Sequence, residues 1–315
     1  MGARRREWRA RGSGMLSPRV RALGATLRSA RLDARFGLRE LARRIGTSPA
    51  LLSNWELGQR APSTEDVSSI LGALGAIGDT KELILSLASG ALGPGWFTPG
   101  TQSSPAHFAT LTAHERAATG LVVWAPLLVP DLLQIADYAR FACASEQPDP
   151  GVLEQVVAAR LRRRDVLFGV DPVQVEFFIG DALLRSVFTD DDVMCRQLRF
   201  IADLMVMSRT IRVRILPDGA APRLVPSGAF TQYRMKDAPP VIYCSHHGMG
   251  AFLADAQAAL YEDLIERLDE AALSQADSLV LLTEETTRLA RALESQREVN
   301  DATLAEILAA EERID

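Results

Sequence analysis

From Pro18 to Asp33 the apolar residues Val20, Leu23, Leu27 and Ala30 recur at the spacing of a helix with one buried face. Residues 38–60, LRELARRIGTSPALLSNWELGQR, carry two shorter stripes of the same kind. Leu38, Leu41, Ala42 and Ile45 form the first, and Leu52 and Trp55 the second. Gly46 breaks the first helix, and Thr47 and Ser48 supply side-chain oxygens suited to capping the next. Pro49 takes its first position, where a missing N–H costs nothing, and Gly58 stops it. Two short amphipathic helices joined by a tight glycine-containing turn predict a helix-turn-helix. Residues 63–66, STED, open a fourth helix with capping-box spacing, and Val67, Ile70, Leu71 and Leu74 face inward. Residues 79–82 repeat the pattern for a fifth helix, with Leu83, Ile84 and Leu87 buried. The first domain is therefore expected to be all-α, with five helices over residues 18–89.

The pattern then changes. Residues 90–107, GALGPGWFTPGTQSSPAH, are rich in Gly, Pro, Ser and Thr and read as a linker. The adjacent aromatics Trp96 and Phe97 are expected to dock on one of the domains. Residues 108–283 form a second domain that begins helix, strand, turn at Pro130, helix. Strands are predicted at 173–179, 211–216, 228–234 and 241–244, and helices at 151–168, 191–208 and 252–270. Strands clustered between helices predict an α+β domain with a mostly antiparallel sheet. Residues 284–315 read as a helical tail with Leu289, Ala290 and Leu293 on one stripe and Leu304, Ile307 and Leu308 on another. That tail is expected to pack on its own domain, or on a second subunit as a short coiled segment; three heptads of clear pattern are absent. Residues 1–17 are arginine-rich with Gly12 and Gly14, and read as a disordered basic arm able to follow phosphates or enter a minor groove. A start at Met15 is the alternative.

Charge sharpens this division. The 315 residues carry a net charge of −5, which hides an asymmetry. Residues 1–62 hold 14 arginines against Glu7, Asp33, Glu40 and Glu56, a net +10, and the remainder is −15. A basic head on an acidic body points to a polyanionic partner for the head alone. Arg39, Arg43 and Arg60 flank the second motif helix and are the best candidates for phosphate contacts, with Arg44 weaker. Cys143, Cys195 and Cys244 stand far apart, so neither a disulfide framework nor a zinc ribbon is indicated, and a reducing cytoplasm fits. No run approaches the length of a membrane span, and no signal peptide is recognisable.

The motif residues carry a resemblance. Glu40, Leu41 and Ala42, Gly46, Ser48, Ser53, Glu56 and Gly58, with Leu23, Leu27 and Arg31 upstream and Pro62 and Ser63 downstream, resemble the lambda-repressor-like (XRE) helix-turn-helix family. The resemblance implies that the second motif helix enters the major groove and reads bases with its N-terminal half. By position it implies Pro49, Ala50, Leu51, Ser53 and Asn54 as base-facing residues, Ser48 beside the phosphates, and a structural pair between Arg31 and Glu56. Leu38 stands where the family often has a phosphate-binding glutamine. With so few long polar side chains, direct readout is expected to be modest: Asn54 can bond adenine, and Ala50 or Leu51 can touch a thymine methyl. Phosphates and DNA shape carry more of the weight.

A second resemblance covers the other domain. Glu115, Trp124, Pro126, the run at 127–130, Leu132, Leu133, Gln134, Asp137, Tyr138 and Ala139 are similar to the C-terminal domain of actinobacterial XRE-type regulators, a domain of unknown function found in antitoxin-like regulators. The likeness continues through residues 160–164, 181–184, 197–198, 216–217, 228–230 and Tyr243. Asp131 departs from the family's usual glycine and Ile135 from its usual threonine.

Candidate chemistry is sparse. Cys244, His246 and His247 match no zinc signature, and a strand end with two loop histidines is the plainer account. His107 and His114 stand alone. Residues 190–192, DDD, suit a helix N-terminus. Arg160, Arg162, Arg163 and Arg164 are expected to form a solvated or salt-bridged helix face. There is no Walker loop, dinucleotide fingerprint or nucleophile elbow, and no acid–base pair can be named. No catalytic residue, metal or cofactor is expected. The chain is expected to be a cytoplasmic, nucleoid-associated, dimeric transcriptional regulator that binds double-stranded DNA, with a C-terminal domain for sensing or partner binding. The alternatives are an antitoxin-like module sequestering a small protein partner, and an enzyme that the helix-turn-helix only addresses to DNA.

Overall fold

The computed structural model describes residues 18–311 except 90–94, 100–104, 145–148, 170–171, 186–188, 220–227, 237 and 247–248. The basic arm at 1–17 and the last residues of the tail therefore lie outside the described residues. The chain opens with α1 (Pro18–Asp33), α2 (Leu38–Arg44), α3 (Pro49–Glu56), α4 (Thr64–Leu74) and α5 (Gly78–Ser89). Leu23, Leu27, Leu41, Leu52, Trp55, Ile70 and Ile84 meet in their core. The full capping box forms at α4: the Asp66 N–H donates to Ser63, and the Ser63 N–H donates back to Asp66.

After the helical head, β1 (Gly95–Pro99) precedes α6 (Pro105–Ala117), β2 (Ala118–Ala125), a 3₁₀ turn at Asp131–Leu133, α7 (Ala136–Ala144), α8 (Pro150–Arg162) and α9 (Asp165–Phe168). Then come β3 (Gln174–Gly180), α10 (Asp181–Leu184), α11 (Asp191–Met207), β4 (Ile211–Leu216), β5 (Phe230–Met235), β6 (Val241–His246) and β7 (Met249–Leu253). The chain ends in α12 (Asp255–Ala259), α13 (Glu262–Ala271) and the long α14 (Gln275–Glu311). The described strands form one sheet in the order β1-β7-β6-β5-β2-β3-β4. It is antiparallel from β1 through β2 and parallel across β2, β3 and β4.

Alternation along β2 separates the faces of the sheet. Leu121 and Val123 join the large core that includes α6, α11 and α14, whereas Val122 and Trp124 join a smaller cluster with Phe178, Ile242 and Leu268. The head is not a separate body: α1 packs along α6, and one hydrophobic core runs from Leu23 and Leu27 through Leu111 to Tyr233 and Phe252.

Several boundaries differ from the sequence reading. The expected linker contains β1, which adds to the sheet edge beside β7 with Trp96 opposite Phe252 and Phe97 opposite Ala251. The helix expected at 252–270 begins instead as the end of β7 and then divides into α12 and α13. The one at 151–168 breaks at 163–164. The tail helix starts at Gln275, well inside the expected second domain.

Candidate nucleic-acid interface

Two glycines define the ends of the motif helices. Gly46 (φ 72°) ends α2 with the Thr47 N–H on the Ala42 carbonyl, and Gly58 (φ 67°) ends α3 with the Gln59 N–H on the Asn54 carbonyl. This six-to-one bond on a left-handed residue is the Schellman arrangement, which glycine adopts without a Cβ penalty. Ser48 caps α3, its Oγ accepting the Leu51 N–H at 3.1 Å, and Pro49 occupies the first position. The hydroxyl proton of Ser48 remains available to donate outward.

Pro49, Ala50 and Asn54 are exposed on α3, and no hydrogen bond engages the Asn54 side chain among the described residues. Ser53 and Leu51 are half-buried, and Leu51 packs against the core. Of the implied base-facing set, Pro49, Ala50 and Asn54 thus face solvent, while Ser53 and Leu51 do so in part. Arg39 and Arg43 on α2 and Arg60 after α3 are all exposed. Arg44 lies over the Phe36 ring at 5.4 Å. Leu38 is half-buried against the core, so its position presents no phosphate ligand.

Behind α3, Arg31 and Glu56 form a buried two-pronged pair. Arg31 Nε donates to Glu56 Oε1 at 2.6 Å and Nη2 to Oε2 at 2.9 Å, while Nη1 reaches the Phe36 carbonyl at 2.8 Å. The Glu56 carboxylate holds the Arg31 guanidinium above its ordinary pKa through this hydrogen bond, against the opposing effect of burial. The pair fixes α3 on α1. Arg19 caps α5 by donating to the Ser86 and Leu87 carbonyls, and Arg21 reaches Met235 Sδ on β5.

A second polar arrangement lies in the other domain. Arg160 and Arg163, expected on a solvated or salt-bridged face, are buried. Both lie in line with the buried Val156 and Leu167, Arg160 on α8 and Arg163 at the break between α8 and α9. Arg163 donates through Nε and Nη2 to Glu115 on α6, the shortest contact being 2.5 Å, and through Nη1 to Asp131 at 3.0 Å. Asp131 also meets Arg160 Nη1 at 3.1 Å, and that Nη1 donates to Gln134 Oε1 at 3.2 Å. Burial pushes the Asp131 carboxyl upward, and Arg160 and Arg163 more than reverse it, holding the group below the usual carboxylate range.

His107 and His114, expected to stand alone, are buried against partners. His107 Nε2 lies 3.0 Å from Tyr243 Oη, and His114 Nδ1 lies 2.8 Å from the Thr110 carbonyl. Burial drives both imidazoles down to about 4, with Arg163 the second cause for His107. Burial likewise raises the Tyr243 phenol well above its usual range. Cys244 Sγ lies 3.3 Å from Tyr261 Oη, and no group that could hold a metal ion occurs among the described residues. Asp190 caps α11, accepting the Val193 N–H. No helix among the described residues is long and apolar enough to cross a membrane.

Comparison with known proteins falls on the same two regions. Residues 108–284, more than half of the chain, match the family described as a domain of unknown function, DUF5753. The chain belongs to the DUF5753 family. Residues 22–83 match a helix-turn-helix domain, so in this DUF5753 protein the family's domain follows a head of the DNA-binding type. No curated protein and no solved structure matches it. The family match begins at α6 and spans the buried arginine cluster, and the helix-turn-helix match covers α2 and α3 with their arginines.

Proposed function

We propose that this protein is a sequence-specific, dimeric transcriptional regulator of the lambda-repressor-like type, and that its C-terminal domain senses a ligand. One observation carries the reading. α3 presents Pro49, Ala50 and Asn54 to solvent, and Arg39 and Arg43 on the adjoining α2 and Arg60 just past the end of α3 are exposed as well. Buried Arg31 and Glu56 and two left-handed glycines hold that helix in place. A rigid short helix with small residues at its tip and cations around it fits a major groove and its flanking phosphates. A symmetric dimer would set two such helices about 34 Å apart on an inverted repeat. The reading involves no catalysis: Glu115 and Asp131 are each held by arginines, which suits binding and rigidity better than proton transfer.

Fluorescence anisotropy with the DNA upstream of the protein's own gene tests the proposal. Saturable binding that competitor DNA of random sequence displaces poorly is the expected result; absence of binding at low salt would refute it. The antitoxin-like alternative makes a different forecast. If the chain's task is to hold a small protein, changing Arg39 and Arg43 together to alanine leaves that association intact.

A further inference from the structure

A cleft of about 600 Å³ lies where α1, α6 and the end of α8 meet, beside the end of α3. Arg21, Arg28, Arg116 and Arg162 stand along it, and Ala113 with the exposed Leu32 and Leu57 gives it an apolar lining. Arg28, Arg116 and Arg162 are exposed, and neither an ion pair nor a hydrogen bond engages their side chains among the described residues. The acids among the described lining residues are Glu56, already held by Arg31, and Asp165. Like charges left around an apolar-lined cleft repel one another, so an anionic occupant with an apolar face is favoured there.

The chain carries a segment of that chemistry with nothing to rest on. The helix α14 packs on α11 and β4 through Leu282 and Leu289, and its packing on the core ends at Leu293. Residues 294–298 are all exposed, which covers more than a full turn. The helix nevertheless runs on to Glu311, about 27 Å past Leu293 at 1.5 Å per residue. Residues 301–315 hold Asp301, Glu306, Glu311, Glu312 and Asp315 against Arg313, a net −4, and Leu304, Ile307 and Leu308 repeat at the spacing of one helical stripe. A continuous helix curves only gently, so it does not turn back onto a cleft of its own chain. We infer that the acidic end of α14 seats in the cationic cleft of a second copy, its apolar stripe on Leu32, Leu57 and Ala113 and its carboxylates among Arg28, Arg116 and Arg162. A two-fold axis makes the exchange mutual, so that each copy gives one tail and receives one. Because the cleft reaches Leu57 at the end of α3, a seated tail also fixes one reading helix relative to the other.

This rests on the dimer proposed above and not on its binding to DNA; the mass is measured without DNA, so the two can fail separately. Sedimentation equilibrium of the full chain at about 20 µM, above a micromolar dissociation constant, is expected to give a dimer. A cleft variant (Arg28→Glu, Arg116→Glu, Arg162→Glu) and a tail variant (Glu306→Arg, Glu311→Arg, Glu312→Arg) are each expected to be monomers. Mixed in equal amounts they are expected to dimerise again, since one tail–cleft contact is then native and the other is reversed on both sides. The milder Arg28→Gln, Arg116→Gln variant covers the case in which reversal unfolds the chain, and its dimer dissociation constant is expected to rise about tenfold. The inference is overturned if the wild type is a monomer, if the folded cleft variant stays a dimer, if the two folded variants do not pair, or if the glutamine variant dimerises as tightly as the wild type. A cleft variant that stays dimeric and loses DNA affinity would assign the cleft to phosphates instead.

Discussion

At the scale of single residues, identical side chains do different work according to where the helix turns them. Arg39 and Arg43 face water beside α3, whereas Arg31 is sealed behind it on Glu56. Removing one member of a buried ion pair strands the other charge, so Glu56→Ala is expected to cost about 3–5 kcal/mol, read by urea unfolding. A loss below about 1 kcal/mol would mean that water reaches Arg31 and that the pair is not the fixture described. Asn54→Ala makes a contrasting forecast: specific DNA affinity drops by about 1–3 kcal/mol while binding to random sequence stays the same. An equal loss on both kinds of DNA would move Asn54 from base reading to general docking.

The histidines give a pH dependence. His107 and His114 are held near about 4 in the fold, chiefly by burial, against about 6.5 in an unfolded chain. Between those values the unfolded chain takes up protons that the folded one refuses. Their contribution to stability is therefore complete above about pH 6.5 and is lost as pH falls towards about 4. Unfolding free energy is expected to be lower at about pH 5 than at about pH 7, with a smaller drop in His107→Gln. Equal stability at the two values would contradict this account. The sequence did not reveal these roles, because a histidine's burial depends on strands more than a hundred residues away. Tyr243, the partner of His107, is 136 positions along. Arg160 and Arg163 were more legible than the sequence reading allowed. Their spacing from Val156 and Leu167 puts them on the buried stripe, even though they belong to the charge run at residues 160–164.

At the scale of elements, the helix-turn-helix was readable because its signals are local: caps, glycine stops and an apolar stripe within about 20 residues. The same holds for α1, whose limits coincide with those expected, and for β4. The strands β1 and β7 were missed for a physical reason. GWFTP and MGAFL contain glycine, and the first ends on proline, so neither shows strand-like alternation; each exists because the other pairs with it at the sheet edge. Gly24 lies where α1 crosses α3, and a Cβ there would sit 2.2 Å from the Trp55 carbonyl oxygen and 2.9 Å from that of Glu56. Gly24→Ala is expected to destabilise the protein by about 3 kcal/mol, the upper end for overpacking, even though alanine favours an isolated helix. A neutral or stabilising result in thermal unfolding would show that α1 and α3 are not in close contact.

At the scale of the whole molecule, the sequence suggested two bodies joined by a linker, and the structure packs α1 on α6 around one continuous core. Calorimetry is therefore expected to show a single transition for the head and the DUF5753 domain, and two resolved transitions would contradict the shared core. The arrangement also puts Arg163 against both a cavity of about 220 Å³ beside the ends of β2, β5 and β6 and a cleft of about 600 Å³ that reaches Glu56 and Leu57 at the end of α3. The charge asymmetry belongs to this scale as well, since the net +10 of residues 1–62 is what a duplex would feel first.

The most direct test of the central claim, that this head docks a cation-flanked helix on duplex DNA, is the salt dependence of DNA affinity in the wild type and in the Arg39→Ala, Arg43→Ala double variant. Each phosphate contact contributes about −0.9 to the slope of log affinity against log salt, so the wild type should fall steeply and the variant should be shallower by about 2. No measurable binding at low salt, or identical slopes for the two proteins, would contradict the account.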